Sequence, residues 1–323
     1  MPCLSETVPQ GRRGAALARR LLRRFGILVA LLLVGAALAA ATPNFLTAAN
    51  LVNVVRQIAL NGILAVGVTF VLLTGGVDLS LGSVVALAGV IAAGFAHPGD
   101  YPAAVAVLMG ILAGTACGAT NGLLVTRGRV APFIVTLGMM TVARGLALVA
   151  SGGRPVSNMS PALTRLAGDL FGLPVPVLIL AAVSLASWIF LGNTRLGRYV
   201  YAVGGNENAA RAAGIEVGRV KMFAYTLCGA FAGLAGVVLA ARITTGQPNA
   251  GVAYELDAIA AVVIGGTSLS GGVGSIGGTL SGVLLMGVIN NGLDLLNVSS
   301  YYQQIIKGVI IVGAVWLDRR QKD

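Results

Sequence analysis

The sequence contains few charged residues. Asp, Glu, Lys and Arg together make up only 10% of it, whereas 56% of the residues are hydrophobic. A soluble domain carries about 25% charged residues, so this mixture could not cover the surface of a water-soluble protein. The mean hydropathy of +0.88 agrees with this interpretation. The composition therefore excludes a soluble protein and predicts an integral membrane protein.

Residues suited to catalysis or to metal and nucleotide binding are also scarce. The only histidine, His97, lies in a turn without a partner nearby in sequence, and two of the three cysteines, Cys117 and Cys228, lie inside apolar runs. No GxxxxGK[ST] motif is present, so the chain cannot hold nucleotide phosphates by that route. We predict no catalytic residues, no cofactor, no metal site and no enzymatic activity. Any energy that the protein uses must then come from a partner or an ion gradient.

The formal net charge of +11 would suit a nucleic-acid-binding protein. However, the basic residues lie at the ends of apolar segments, which is typical of topology signals and of contacts with anionic lipid. We therefore predict membrane lipid, and no nucleic acid, as a partner. Glycine is abundant, with 46 residues. Because small residues let transmembrane helices approach closely, these glycines predict tightly packed or locally broken helices.

About 20 apolar residues are needed to cross a bilayer as a helix. The sequence offers candidate segments at 25–42, 56–74, 79–96, 102–125, 131–150, 174–192, 220–240, 256–266, 274–292 and 302–317. The eighth is too short to span unaided, and we predict a half-helix that runs into the Gly/Ser-rich stretch after it. The predicted fold is all-α: a polytopic membrane protein with about ten transmembrane helices, some of them broken or short.

The positions of the basic residues predict the orientation of these segments. With the N-terminus inside, the groups that fall in the cytosol lie at 12–24, 127–129, 195–221 and 319–322. The basic residues that fall at the outer side are fewer: Arg56, Arg154, Arg165 and Arg242. This bias is the positive-inside signal. It predicts three parts: a cytosolic basic tail at 1–24, a transmembrane domain at 25–317 and a cytosolic tail at 318–323.

The first apolar run, 25–42, also allows a second interpretation. It follows basic residues and contains small residues at 37–39, so it could be a cleaved signal peptide. The run is long for a signal core, and we favour a retained helix. The later helices keep the same orientation in either case.

One polar, basic segment at 193–221 interrupts the apolar pattern. Within it, Asn206 is a good N-cap, Glu207 suits the positive end of a helix, and Gly214 can end a helix in the left-handed conformation. The residues between them include the strong helix formers Ala209, Ala210, Ala212 and Ala213. We predict a helix of about two turns at the membrane surface. Its alanine face could lie in a groove on another protein, although a passive connector held on anionic lipid explains the segment equally well.

Two glycine-rich stretches, 75–82 and 265–272, resemble each other at a constant offset of about 190 residues. Glycine-broken segments that occur in two halves of a chain point to a transport pathway, although two helix ends can also look alike by chance. Asp78, in the first stretch, is predicted to cap the helix that starts near Leu79, as Ser80 also could. A gate, a substrate path and proton coupling are the alternative roles for Asp78.

Several motifs then resemble, in order, those of one protein family. The pattern Gly204-x-Asn206-x-x-Ala209-Ala210-x-x-x-Gly214-Ile215 is similar to the cytosolic coupling motif of bacterial ABC-importer permeases of the ribose/xylose/galactoside group. Further stretches that resemble this family lie at 75–83, 136–153 and 261–282. The resemblance extends from roughly residue 44 to residue 317.

The resemblance implies a permease subunit of an ATP-binding-cassette importer that carries a monosaccharide, a ribose-like pentose or a hexose, across the bacterial inner membrane. It implies three protein partners: a cytosolic ABC ATPase, a periplasmic sugar-binding protein and a second permease copy in a homodimer. The ATPase-coupling residues that it implies are Gly204, Asn206, Glu207, Ala209, Ala210, Gly214 and Ile215. Both termini would be cytosolic, and the sequence does not identify the sugar.

Polar residues in the apolar segments are candidates for the transport path. Amides could line a route for uncharged, hydroxyl-rich sugars, although interhelical hydrogen bonds are their more common role. The amides concerned are Asn61, Asn121, Asn290 and Asn291, and the candidate gate or path residues are Asp78, Ser80, Asn61 and Asn121. Arg144 and Lys307 would either snorkel outward, which we favour, or pair internally. Glu255 and Asp257 would contact a docked binding protein or be solvated.

Two other kinds of transporter remain as alternatives. An ion-coupled secondary transporter of a small polar solute needs titratable residues at mid-membrane, and only Arg144 and Asp78 are candidates. A passive channel would not need a shaped surface at 206–215.

Overall fold

The computed structural model describes residues 10–320, with the side chains of 26–313 and Trp316. The helices are α1 (Gln10–Ala41), α2 (Ala48–Leu73), α3 (Leu81–Gly94), α4 (Ala103–Thr126), α5 (Pro132–Ser151), α6 (Pro161–Thr164), α7 (Val175–Asn193), α8 (Arg195–Gly205), α9 (Glu207–Ala212), α10 (Val217–Ile243), α11 (Tyr254–Ile264), α12 (Ile276–Leu295) and α13 (Ser300–Arg320). A short antiparallel hairpin pairs β1 (Asp169–Leu170) with β2 (Leu173–Pro174). The predicted tails at 1–24 and 318–323 fall largely outside the described residues and side chains.

Each predicted apolar segment coincides with one helix, and α6, α8 and α9 lie in the connections between them. Within the described range, six helices are long and apolar enough to cross a membrane, namely α2, α4, α5, α7, α10 and α12. The short eighth segment is α11, which has 11 residues. The prediction of an all-α, polytopic membrane protein with some short helices is therefore confirmed.

The helix α2 starts eight residues before the predicted apolar segment 56–74. The helix begins at Ala48 rather than at residue 56, because Thr47 caps it by accepting the backbone N–H of Asn50. Polar residues such as Asn50 and Asn53 occupy its first two turns. A search for apolar runs therefore misses this part of the helix.

Two helices, α2 and α10, form the centre of the molecule. In α2, 78% of the most apolar stretch of 18 residues is buried within the protein, and in α10 the share is 61%. In α5 and α7 the corresponding share is 22% each. The peripheral helices turn large apolar side chains outward, such as Val149 and Trp188, which are 81% and 61% exposed. In a membrane these side chains face lipid tails, which are as apolar as they are.

The close packing predicted from the abundant glycine occurs between α4 and α10. Glycines recur at every fourth residue along one face of α4, at Gly110, Gly114, Gly118 and Gly122. A Cβ added at Gly114 would lie 2.6 Å from the Cα of Gly233 in α10, closer than real Cβ atoms approach. The two backbones therefore touch directly, as small residues allow in membrane helix pairs.

The connection at 151–173, predicted to lie at the outer surface, folds back onto the helix ends. It contains α6 and the hairpin. Leu163 of α6 is fully buried against Ala106 and Val237, and the backbone N–H of Ser160 donates to the carbonyl of Ala96 at 2.7 Å. This connection therefore covers one end of α3 and α4.

Candidate functional site

The predicted short helix in the polar loop is α9, and both of its ends are capped. Asn206 is the N-cap, and its side-chain oxygen accepts the backbone N–H of Ala209 at 2.9 Å. Glu207 in the first turn complements the positive end of the helix. The Asn206 contact satisfies one N-terminal backbone donor, and the helix has the six residues Glu207–Ala212.

The C-terminal end of α9 closes in a Schellman motif. Gly214 has a φ of +82°, and its N–H donates to the carbonyl of Arg211 at 3.0 Å. The N–H of Ile215 donates to the carbonyl of Ala210, also at 3.0 Å. Ala210 and Ile215 then pack against the hydrophobic core. The left-handed conformation predicted for Gly214 is therefore confirmed, and the motif anchors α9 to the helix bundle.

The outer surface of α9 is small and uncharged at its centre. The alanines that are exposed there are Ala209, Ala212 and Ala213, whereas Ala210 is buried. Glu207 accepts from Arg211 at 2.9 Å and from Lys221, in the first turns of α10, at 2.6 Å. The pair with Lys221 holds α9 against α10, whereas the pair with Arg211 lies within α9, and both leave the alanines free to meet another surface.

The C-terminal end of α8 lies directly on both glycine-rich stretches. A Cβ added at Gly204 would overlap the carbonyl oxygen of Leu73, the last residue of α2, and would lie 2.5 Å from the nitrogen of Gly272. That Gly272 N–H donates to the same Leu73 oxygen at 3.0 Å. Two stretches that resemble each other in sequence thus meet in space, and the polar loop packs on their junction. We refer to this contact of Leu73, Gly204 and Gly272 as the backbone junction.

Tyr201 adds a side-chain contact to the backbone junction. Its hydroxyl donates to the carbonyl of Gly274 at 3.1 Å, and burial raises the pKa of this hydroxyl above its ordinary value. The phenol therefore stays protonated at neutral pH and keeps its donor role. No sequence signal identified this residue, because its partner is a backbone atom more than 70 positions away.

Three of the four candidate gate residues form one buried cluster. Asp78 is only 1% exposed, and its Oδ1 accepts both the backbone N–H of Ser80 at 2.9 Å and the Ser80 hydroxyl at 2.6 Å. Asn121 of α4 donates to the Ser80 hydroxyl oxygen at 3.1 Å. The cluster joins the start of α3 to α4. Asn61, the fourth candidate, lies elsewhere.

The capping role predicted for this stretch takes a different form. The helix begins at Leu81 rather than near Leu79, and Ser80 at its N-cap position makes no side-chain capping bond. The Ser80 hydroxyl instead donates to Asp78, and its oxygen accepts from the Asn121 amide. Asp78 therefore stabilises the turn before α3 instead of the first turn of the helix.

The candidate amides Asn61, Asn290 and Asn291 lie in two different environments. Asn291 of α12 and Asn50 of α2 exchange two hydrogen bonds, at 2.8 and 3.0 Å. The predicted interhelical hydrogen bond is thus confirmed for Asn291. By contrast, Asn61 and Asn290 line a polar cavity between helices.

Arg144 and Lys307 both have internal partners, so the favoured interpretation of outward snorkelling is wrong and the alternative of internal pairing is confirmed. The Arg144 guanidinium donates to the carbonyls of Pro248 and Ala250, at 2.5 and 2.8 Å. Lys307 forms an ion pair of 2.8 Å with Asp257, which is only 6% exposed. Asp257 is therefore neither solvated nor available to a docked protein, because α13 packs beside α11 and covers it.

Comparison with known proteins shows the family to which the chain belongs. Residues 50–315 match the family described as branched-chain amino acid transport system / permease component. The chain belongs to this permease family. The match runs from α2 into α13, so it includes the backbone junction and α9.

Curated relatives resemble the permease over almost its whole length. The ribose import permease protein of Escherichia coli (strain K12) is 49% identical over 304 residues, which cover 91% of this chain and 93% of the relative. The ribose import permease protein of Bacillus subtilis (strain 168) is 48% identical, over 86% of this chain and 87% of the relative. The D-allose transport system permease protein of Escherichia coli (strain K12) is 39% identical, over 92% and 91%. No solved structure gives a significant match.

Proposed function

We propose that this permease is the membrane subunit of an ATP-driven importer for a monosaccharide, with ribose as the first candidate. The observation that carries the proposal is the 49% identity, over 91% of the chain, to a relative named as a ribose import permease. Relatives named for allose and arabinose support a sugar as the solute, although the family description names an amino acid system. The chain itself would have no enzymatic activity, since ATP hydrolysis belongs to the partner.

The loop of α8 and α9 supports coupling to a cytosolic ABC ATPase. Its exposed alanine face would lie in a groove of the ATPase, and the backbone junction would carry the resulting displacement of α8 to the end of α2 and to the loop between α11 and α12. The residues that we assign to this coupling surface are Gly204, Asn206, Glu207, Ala209, Ala210, Gly214 and Ile215. The cluster of Asp78, Ser80 and Asn121, which follows the end of α2, would move with it and form part of a gate.

The positive-inside bias supports an orientation in the bacterial inner membrane with α9 and both termini in the cytosol. The opposite ends of the helices would then face the periplasm and receive a sugar-binding protein there. We further propose a second copy of the chain, in a homodimer, and contact with membrane lipid through the outward apolar faces of α5 and α7.

Reconstitution tests the transport function. The permease, its ATPase and its binding protein are placed in proteoliposomes, and uptake of labelled ribose is measured with and without ATP. We expect uptake to require ATP and the ATPase and to persist when a protonophore collapses the proton gradient. Uptake that needs only an ion gradient would instead support the ion-coupled alternative. Unlabelled allose, arabinose or leucine is then added in excess, and the compounds that lower the uptake of labelled ribose identify the class of solute.

Cysteine labelling tests the orientation. A single cysteine is introduced as Ala213→Cys, on the exposed face after α9, and a membrane-impermeant maleimide is added to cells or to inverted vesicles. The native Cys117 and Cys228 are buried, and the third cysteine, Cys3, is replaced by serine in the same chain so that it cannot be labelled. We expect labelling in inverted vesicles alone. Labelling from the periplasmic side would reject the assignment of α9 to the ATPase.

A further inference from the structure

We propose that a groove on the outside of the helix bundle, between the end of α4 and the start of α10, binds one anionic phospholipid through its phosphate. The groove has a volume of about 610 Å³, and lining residues such as Leu123 and Gly218 are exposed. It is separate from the exposed alanines of α9 and from the polar cavity near Asn290. Such a site would also be distinct from the general contact of the apolar faces of α5 and α7 with lipid.

The groove lies at the end of the helices that faces the cytosol in the proposed orientation. α4 ends at Thr126, with Arg127 as its C-cap, and α10 begins at Val217, shortly after α9. The two helix ends are at the same level, since a Cβ added at Gly122 would lie 3.1 Å from the Cα of Met222. The groove is therefore placed where the acyl chains of a bilayer meet the cytosolic headgroups.

One end of the groove carries two guanidinium groups. Arg127 and Arg219 line it together with Glu216. Glu216 forms an ion pair with Arg219, whose side chain is 83% exposed, whereas Arg127 makes no ion pair with any of the described residues. One positive charge is thus left without a partner. A phosphate between the two guanidinium groups would supply the missing negative charge, and arginine can bind phosphate through two parallel hydrogen bonds.

The other end of the groove is apolar. Leu123, Met222 and Phe223 line it, about one turn further from the cytosolic ends of the two helices. Two threonines in the lining, Thr126 and Thr226, donate their hydroxyl protons to carbonyls of their own helices at 2.7 and 2.8 Å. Because these hydroxyl groups already have acceptors, an apolar chain can lie against the threonines without leaving a donor unpaired.

This order of charged and apolar surface matches an anionic phospholipid better than the other occupants. A sugar would lack polar partners along the apolar wall, and a free phosphate would leave that wall uncovered. A zwitterionic lipid would bring an ammonium group to an end that already has an excess of positive charge. Basic pockets between transmembrane helices on the cytoplasmic side are suited to anionic headgroups for the same electrostatic reason.

Native mass spectrometry of the full chain tests the site. The permease is purified, freed of lipid and titrated with phosphatidylglycerol or phosphatidylethanolamine, and the affinity for the first bound lipid is measured. The variants are Arg127→Gln and the double variant Arg127→Gln/Arg219→Gln. The matched control is Arg195→Gln/Arg198→Gln, because these two arginines are exposed on α8, in the same polar loop as α9, and do not line the groove.

We expect the parent permease to bind phosphatidylglycerol at least about fivefold more tightly than phosphatidylethanolamine. Arg127→Gln should lower the affinity for phosphatidylglycerol about fivefold, the contribution of one arginine near an anionic lipid. The double variant should lose about tenfold, since Glu216 already pairs with Arg219. The control should stay within about twofold of the parent. Equal affinity of the parent for both lipids, or an equal loss in the control, would overturn the proposal.

The midpoint of thermal unfolding should be the same in the parent and in these variants, because the ion pair that is lost is exposed. A weaker affinity that accompanies a lower unfolding midpoint would point to a structural role of the arginines and would also overturn the proposal.

Glu216→Gln gives a test in the opposite direction. Removing this carboxylate frees Arg219 for the phosphate, so phosphatidylglycerol should bind about threefold more tightly. An unchanged or lower affinity would show that no phosphate lies beside Arg219 and would overturn the proposal.

Two further measurements separate the other occupants. Inorganic phosphate, added in excess at constant ionic strength, should leave the lipid bound, because the acyl chain also contributes to binding. Displacement would show a site for free anions only. The permease assembled with its ATPase and binding protein should retain the lipid, and loss of the lipid on addition of the ATPase would show a protein contact. Either result would overturn the proposal, whereas a parent without ATP-driven uptake would count against the proposed function alone.

Discussion

The two ends of the helix bundle are built in different ways. At the coupling end, the backbone junction brings Leu73, Gly204 and Gly272 so close that no Cβ fits at Gly204. At the opposite end, polar and charged side chains surround a cavity whose lining includes Asn61 and Asn290.

The difference decides which changes each end tolerates. A close-packed contact between backbones has few alternative arrangements, so a displacement of α8 passes to the end of α2 and to the loop between α11 and α12 without being absorbed by side-chain motion. Paired charges such as Lys307 and Asp257 depend instead on the presence of both partners. The coupling end should therefore be intolerant of added volume, and the opposite end should be sensitive to lost polarity.

The largest expected effect is that of Gly204→Ala at the backbone junction. The new methyl group would overlap the Leu73 carbonyl, and overpacking of this kind costs about 3 kcal/mol of stability. The matched control is Gly205→Ala, where a Cβ would meet nothing within 4 Å. The midpoint of thermal unfolding in nanodiscs and ATP-driven uptake should fall for the first variant and not for the second. Equal behaviour of the two would contradict the contact.

At the other end, Lys307→Met should destabilise the permease by about 2 kcal/mol, because it leaves Asp257 buried without its counter-charge. The effect is smaller than for a fully buried pair, since the Lys307 side chain is 21% exposed. Adding Asp257→Leu to the same chain should recover most of the loss. The measurement is the unfolding midpoint of the parent, both single variants and the double variant. Additive losses would show that the two residues do not interact.

A third substitution, Gly214→Val, addresses the anchoring of α9. A β-branched residue at φ +82° costs about 1–2 kcal/mol, which should open the Schellman motif and weaken association with the ATPase. Gly214→Asn is the control, because asparagine tolerates the left-handed region. Co-purification of the ATPase reports the difference. Membrane insertion should be the same for both variants, and equal recovery of the ATPase would contradict the role of α9.

The smallest expected effect is that of Asn206→Ala, which removes the N-cap of α9 and costs about 1 kcal/mol. Because α9 is also held by Glu207 and by the Schellman motif, we expect a modest decrease in ATPase affinity. Asn206→Ser should restore it, since serine caps as well as asparagine. A loss as large as that of Gly204→Ala would mean that Asn206 itself touches the ATPase rather than acting through the helix.

Local sequence signals predicted α9 well and the polar cavity poorly. Asn206, Glu207 and Gly214 act within a few residues of their own positions, so their roles follow from propensity and capping rules. Asp257 and Lys307 are 50 residues apart, and nothing local shows that they face each other. The interpretation of Lys307 as a snorkelling residue was wrong for that reason.

The amino-acid sequence by itself determined the membrane environment, the positions of the helices and the family of this permease, because hydropathy, caps and motifs are properties of neighbouring residues. Only the tertiary structure decided that the two glycine-rich stretches touch under α8, that Asp78 binds Ser80 instead of capping α3, and that Lys307 pairs with Asp257 in the wall of a cavity. These features depend on contacts between distant segments, and such contacts are set by how the helices pack rather than by local preference.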